Sequence, residues 1–128
     1  VVFSPFPGWH FSGADSAAAF GLHGALYLGT RLPLTQSIIE QLPRFRIALQ
    51  GPGGKKLTGC GADVLDGPLK ALGYLLETLE MDPDATPVGE GEIITTGTLT
   101  DAEPISPGDR WTTRLDGIDL PGATITFR

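Results

Sequence analysis

Arg44-Phe45-Arg46-Ile47-Ala48-Leu49-Gln50 decides the fold. Phe45, Ile47 and Leu49 fall on one side of an extended chain and the arginines on the other, which is the period-two pattern of a half-buried strand. Gly51-Pro52-Gly53-Gly54 then reverses the chain, and Lys55-Lys56-Leu57-Thr58-Gly59-Cys60-Gly61 supplies the return strand of a hairpin with a solvated tip. After the hairpin, Leu69, Leu72, Leu75, Leu76 and Leu79 recur at helical spacing. Asp66 is placed to cap that helix, Pro68 suits its first turn and Asp82-Pro83 stops it, so its leucine stripe is expected to lie on the sheet. Ile93 to Gly97, Trp111 to Leu115 and Ala123 to Phe127 read as three further strands, joined by Pro107-Gly108-Asp109 and Pro121-Gly122 turns.

Upstream of the hairpin the pattern is weaker. Pro5, Pro7 and Gly8 interrupt the opening segment, which reads as loop with a short strand. Ser16 to Phe20 suits a helical turn capped by the serine, and Ala25 to Leu28 suits a buried strand. Sheet, one long helix and sheet again give an α+β fold with a single domain over residues 1–128, in which a curved antiparallel or mixed sheet wraps around one principal helix.

Composition narrows the function classes. The chain has 128 residues, of which 41% are hydrophobic, and its 18 glycines and 11 prolines favour a turn-rich, strand-heavy domain. With 15 acidic against 9 basic residues the net charge is −6, which argues against nonspecific nucleic-acid or acidic-lipid binding. No apolar run is long enough to span a bilayer, and the single cysteine, Cys60, cannot form an internal disulfide; both fit a cytoplasmic protein. The chain opens on Val1-Val2, which leaves its biological start open.

Local signals for chemistry are sparse. There is no H-x-x-x-H or cysteine cluster for a metal and only one E-x-E, Glu90-Gly91-Glu92; nor is there a G-x-S-x-G elbow or a G-x-x-x-x-G-K-[ST] phosphate loop. Cys60 lies between glycines on a strand and reads as a structural thiol. His10 and His23, thirteen residues apart, are either surface residues or the chain's candidates for proton transfer near neutral pH. Asp63, Asp66, Glu103 and Asp109 read as solvated or capping groups. Trp9, Phe11, Phe20 and Tyr27 read either as ordinary core or as the lining of an apolar pocket. In Thr95 to Ala102, the backbone N–H groups near Gly97 and the hydroxyls of Thr98 and Thr100 are arranged either to hold a carboxylate or keto oxygen or to satisfy their own backbone at a strand end.

The order of these motifs resembles a known family. Gly89-Glu90-Gly91-Glu92-Ile93-Ile94-Thr95-Thr96-Gly97-Thr98-Leu99-Thr100-Asp101-Ala102, then Pro104-Ile105-Ser106-Pro107-Gly108-Asp109 and the closing Ala123 to Phe127, is similar to the C-terminus of the 2-keto-4-pentenoate hydratase and 4-oxalocrotonate decarboxylase branch of the fumarylacetoacetate hydrolase superfamily. Thr58 to Leu65 followed by Pro68 to Leu72 resembles that family's glycine-alanine strand and the start of its principal helix. Ala14-Asp15-Ser16-Ala17 and Leu26 to Gly29 resemble its A-D-N-A turn and the next strand.

The resemblance implies the β roll. It also implies an activity on a small 2-oxo acid: a magnesium or manganese ion chelates the acid, an enol forms, and water adds or carbon dioxide leaves. Gly97, Thr98, Leu99 and Thr100 would form the substrate-carboxylate side of the pocket. The family's metal-binding carboxylates, an E-x-E pair and a third acid, belong to a first half with no counterpart here. Ser16, Phe3, Gly67 and Lys70 also stand where asparagine, aspartate, histidine and asparagine are usual. Three readings follow: a hydratase- or decarboxylase-like chain that needs carboxylates from elsewhere; a metal-free small-molecule binding module or cyclase/isomerase using the same cavity; and a structural subunit that forms a homo-oligomer or pairs with a homologous, full-length chain.

Overall fold

A computed structural model describes all residues from Val1 to Arg128, and their contacts gather into two units, Val1–Thr30 and Arg31–Arg128. In the first, the chain start is tied to the segment after Leu22: the Val1 ammonium donates to the Ala25 carbonyl at 2.8 Å, and the Phe3 amide donates to the Leu22 carbonyl at 2.9 Å. A single bridge pairs Val2 with His23. The helix α1 (Gly13–Ala18) is capped by Ser12, four residues before Ser16, the expected cap. Ser12 and Asp15 form a reciprocal capping box, a signal that Ser12-Gly13-Ala14-Asp15 carries openly in the sequence. Leu22 is the buried side chain of this unit. Ala25 to Leu28, expected as a buried strand, is irregular and exposed, because no strand lies beside it to take its hydrogen bonds.

The second unit opens with α2 (Gln36–Gln41), a short helix absent from the sequence reading and capped by the Thr35 hydroxyl on the Ile38 amide. The hairpin then forms as its pattern requires, with β1 (Arg46–Gln50) antiparallel to β2 (Lys56–Cys60) and Arg46 opposite Cys60. β3 (Arg110–Asp116) pairs with the other edge of β1, and β4 (Thr124–Thr126) with β3, giving the order β2-β1-β3-β4. Every pairing is antiparallel, so of the antiparallel and mixed sheets that the sequence allows, the antiparallel one forms. Hairpin and return connections suffice to build it, and no parallel crossover is needed.

Cross-strand partners share a face. Ile47, Leu49, Leu57, Trp111, Leu115 and Ile125 therefore occupy one side, and Arg46, Lys56, Thr58, Arg114 and Asp116 the other. Phe45, Val64 and Trp111 are the buried hydrophobic residues of this unit. Gly51 packs on the Trp111 ring, where a β-carbon would come within 2.6 Å of the indole.

The principal helix α3 (Pro68–Met81) has the expected ends, but two expectations fail. Asp66 does not cap it: Leu65, Asp66 and Gly67 all take positive φ angles (47°, 64° and 142°), and the Asp66 carboxylate instead meets Lys70 at 3.4 Å. The leucine stripe is not buried on the sheet: α3 has no buried residue, and Leu69, Leu75 and Leu76 are 36%, 37% and 40% exposed. The apolar side of β2 is met by another segment. Gly59 faces that side, and the Leu99 backbone lies directly against it. Leu76 and Leu79 instead share a cleft of about 190 Å³ with Ala85, Pro87 and Val88. Ile93 to Gly97 is irregular rather than a strand. No helix is long and apolar enough to cross a membrane.

A β-carbon at Gly59 would collide with the Leu99 carbonyl. Gly59→Ala is therefore expected to destabilise the fold by more than about 2 kcal/mol, since backbone has to move to relieve the overlap. In urea unfolding this lowers the midpoint by about 1 M or more; an unchanged midpoint would show that Leu99 does not rest on β2.

Candidate functional site

Gly97–Thr100 is held from two sides. Gly97 has φ 116°, which a residue with a side chain rarely adopts, and it stands against Val64, whose methyl would lie 3.4 Å from an added β-carbon. Leu99 is fixed by the close approach to Gly59. Thr98, between them, is exposed and Thr100 is half-buried. Their hydroxyls take no part in the bonds that occupy the Thr78, Thr112, Thr113 and Thr124 side chains. Downstream, Glu103 pairs with Lys55 at the hairpin tip, and Asp109 accepts from the Ser106 amide at 2.8 Å to close the Pro107-Gly108 turn. The segment is thus anchored at both ends, while neither threonine hydroxyl is engaged in a hydrogen bond.

Other singled-out carboxylates are spent on structure. Asp63 accepts from the Cys60 amide at 2.7 Å, and Asp66 is the partner of Lys70. The Cys60 thiol is half-buried and donates to the Pro43 carbonyl at 3.7 Å. His10 closes a short helical turn by its backbone and is exposed; His23 sits on the bridge with Val2 and is also exposed. Both belong to the Val1–Thr30 unit, whereas Gly97–Thr100 belongs to the other. Trp9, Phe11, Phe20 and Tyr27 are 56%, 39%, 87% and 58% exposed, so within their own unit they form neither core nor a closed pocket.

No group of three or more histidine, cysteine, aspartate or glutamate side chains comes together in a way that holds a metal ion. A divalent cation needs several oxygen ligands at once. The residues of this chain do not fit such a site.

A hollow lies elsewhere, on the polar face of the sheet. It has a volume of about 840 Å³ and is bordered by Arg46, Lys56, Thr58, Asp63, Arg114 and Asp116. The smaller hollow, at the end of α3, contains none of Gly97–Thr100 either. The sequence reading passed over this cationic face, although strand alternation at Arg46, Lys56 and Arg114 marks it.

No protein-family model matches the sequence. Among solved structures, 4-oxalocrotonate decarboxylase from Pseudomonas putida G7, complexed with magnesium and adipate, superposes on 99% of this chain with a TM-score of 0.81 and 26% identity. That decarboxylase is a member of the fumarylacetoacetate hydrolase superfamily, and the chain is similar to it. The same decarboxylase complexed with calcium and acetate matches 69% of the chain at 31% identity, with a TM-score of 0.58. This chain spans 46% of the decarboxylase in the first comparison and 32% in the second, in keeping with a resemblance confined to the superfamily's C-terminal half.

Asp15, in the stretch that resembles the A-D-N-A turn, carries the one clear electrostatic signature. The Ser12 amide, at 2.9 Å, and then the Ser12 hydroxyl, at 2.8 Å, donate to its carboxylate and hold its pKa below the ordinary aspartate value. A carboxylate with a lowered pKa contributes stability that is present above the unfolded-state value, near 3.9, and is lost as pH falls through the folded-state value. Carbon-detected NMR titration should therefore show Asp15 ionising below the ordinary aspartate value, and Ser12→Ala, which removes the hydroxyl but keeps the backbone amide, should raise its midpoint part of the way back. An Asp15 midpoint unchanged by Ser12→Ala would remove the capping box.

Proposed function

We propose that this chain contributes the carboxylate-binding part of a hydratase- or decarboxylase-like site for a small 2-oxo acid, and that the metal-binding carboxylates come from polypeptide other than these 128 residues. The observation that carries this reading is the match of 99% of the chain to a decarboxylase whose structures hold a divalent metal with adipate or acetate, both carboxylates. The β-roll form of the fold is part of the same proposal. So are Gly97–Thr100 as the substrate contact and His10 and His23 as candidate proton carriers.

The chemistry asked of the segment is limited and physically reasonable. A carboxylate seated at Gly97–Thr100 accepts hydrogen bonds from the Thr98 and Thr100 hydroxyls and from nearby backbone amides, donors that fix its position while charge develops elsewhere on the molecule. Enolisation places negative charge on the 2-oxo oxygen and requires an electropositive group there. This chain offers no metal-ligand cluster for that role. Turnover is therefore assigned to the complemented protein rather than to the chain alone.

The exposed surface supports association with further polypeptide. A compact protein of 13.5 kDa exposes about 6,500 Å², and two separate bodies of the sizes of the two units would expose about 7,600 Å². The chain exposes 9485 Å², and no side chain is fully buried. The buried Trp111 Nε1 also lacks a hydrogen-bond acceptor within the chain.

A 2-oxo acid such as 2-oxopentanoate is expected to raise the melting temperature by about 4 °C at ten times its dissociation constant. Thr98→Val with Thr100→Val should abolish that shift. With magnesium present the chain alone should show no carbon dioxide release and no hydration; metal-dependent turnover by this polypeptide would overturn the proposal. The lack of a metal-ligand cluster favours a second reading, a metal-free binding module or cyclase/isomerase. Turnover that appears when a polypeptide carrying the metal-binding carboxylates is added, and that EDTA abolishes, supports the decarboxylase-like reading; turnover that EDTA leaves unchanged supports the metal-free one.

A further inference from the structure

The polar face of the sheet gathers cations that the rest of the chain leaves unpaired. The only two ion pairs engage Lys55 and Lys70, so Arg46, Lys56 and Arg114 border the 840 Å³ hollow without a carboxylate partner. Register fixes their arrangement. Ala48 has Thr58 on one side and Arg114 on the other; Gln50 faces Lys56; and Arg46 faces Asp116. The two acids of the hollow therefore lie toward the Arg46 end, where Asp63 is already bonded to the Cys60 amide. Lys56 and Arg114 lie beyond them, separated by the small side chain of Ala48.

Strand spacing sets Lys56 and Arg114 about 12 Å apart at their α-carbons, two strands across and one residue pair along. Side chains of that length, leaning over an alanine floor, bring their heads to the two ends of a molecule of about 5–8 Å. Arginine offers a planar fork to one carboxylate, and lysine a point charge to the other. The Thr58 hydroxyl, on the same face beside Ala48, adds a neutral donor.

We propose that this face binds a small dicarboxylate, of about four to six carbons, between Lys56 and Arg114 and above Ala48, without a metal. The site is separate from Gly97–Thr100, which meets the opposite side of the sheet at Gly59. It stands or falls independently of the activity proposed above.

Calorimetric titration of the whole chain with glutarate, in low salt and with EDTA, tests the assignment. The expected result is saturable one-site binding that weakens at least about tenfold in Lys56→Gln and again in Arg114→Gln, both exposed positions whose substitution leaves the fold intact. Affinity should fall as sodium chloride is raised from about 20 to 200 mM. Pentanoate, with one carboxylate, should bind at least about tenfold more weakly. Thr98→Val with Thr100→Val distinguishes this face from the Gly97–Thr100 segment. Absence of saturable binding up to about 20 mM glutarate, or an affinity indifferent to both Lys56→Gln and Arg114→Gln, would overturn the proposal. Loss of glutarate binding in the threonine variant would do the same, by placing the ligand on the other face.

Discussion

The bare backbone of Gly59 is the constraint on which the C-terminal unit turns. Without a side chain there, the Leu99 carbonyl rests against β2, and the segment from Gly97 onward is drawn onto the apolar face of the sheet. That contact replaces the one expected from the long helix. It also determines where Thr98 and Thr100 can be: one residue to either side of the pinned Leu99, at the margin of the sheet rather than within it. Val64 behind Gly97 and the Lys55–Glu103 pair hold the segment on either side of that point.

Strand alternation was legible wherever two strands lie close in sequence. Phe45, Ile47 and Leu49 announce β1; the Gly-Pro-Gly-Gly turn announces its partner; and the regular pattern around Trp111 announces β3. Local apolar runs without a partner misled. Ala25 to Leu28 and Ile93 to Gly97 have strand-like residues, but a strand is made by its neighbour's hydrogen bonds, which no local pattern records. The six-residue α2 lies between Pro33 and Pro43 and is too short for periodicity to reveal. The burial of α3 was misjudged for a related reason. A leucine stripe says that a helix has an apolar face, not what covers it.

The candidate site was legible in a different way. Nothing in spacing or composition singles out Thr98 over Thr95 or Thr124; the order of motifs does so, by resemblance to a family. The cationic face was open to simple alternation, yet it emerges only when register shows Arg114 and Thr58 on either side of Ala48. Donors for an anion are thus present on both sides of the sheet, while clustered ligands for a cation are present on neither. This division of labour is why the chain is read as one part of a metal-dependent site.

The most direct measurement of that reading is a backbone amide NMR titration of the 128-residue chain with 2-oxobutanoate. The account predicts that the largest shift changes fall on Gly97, Thr98, Leu99 and Thr100, with smaller ones at Gly59 and Val64, which hold the segment. Changes confined to other residues, with the Gly97–Thr100 amides unmoved at saturation, would contradict it.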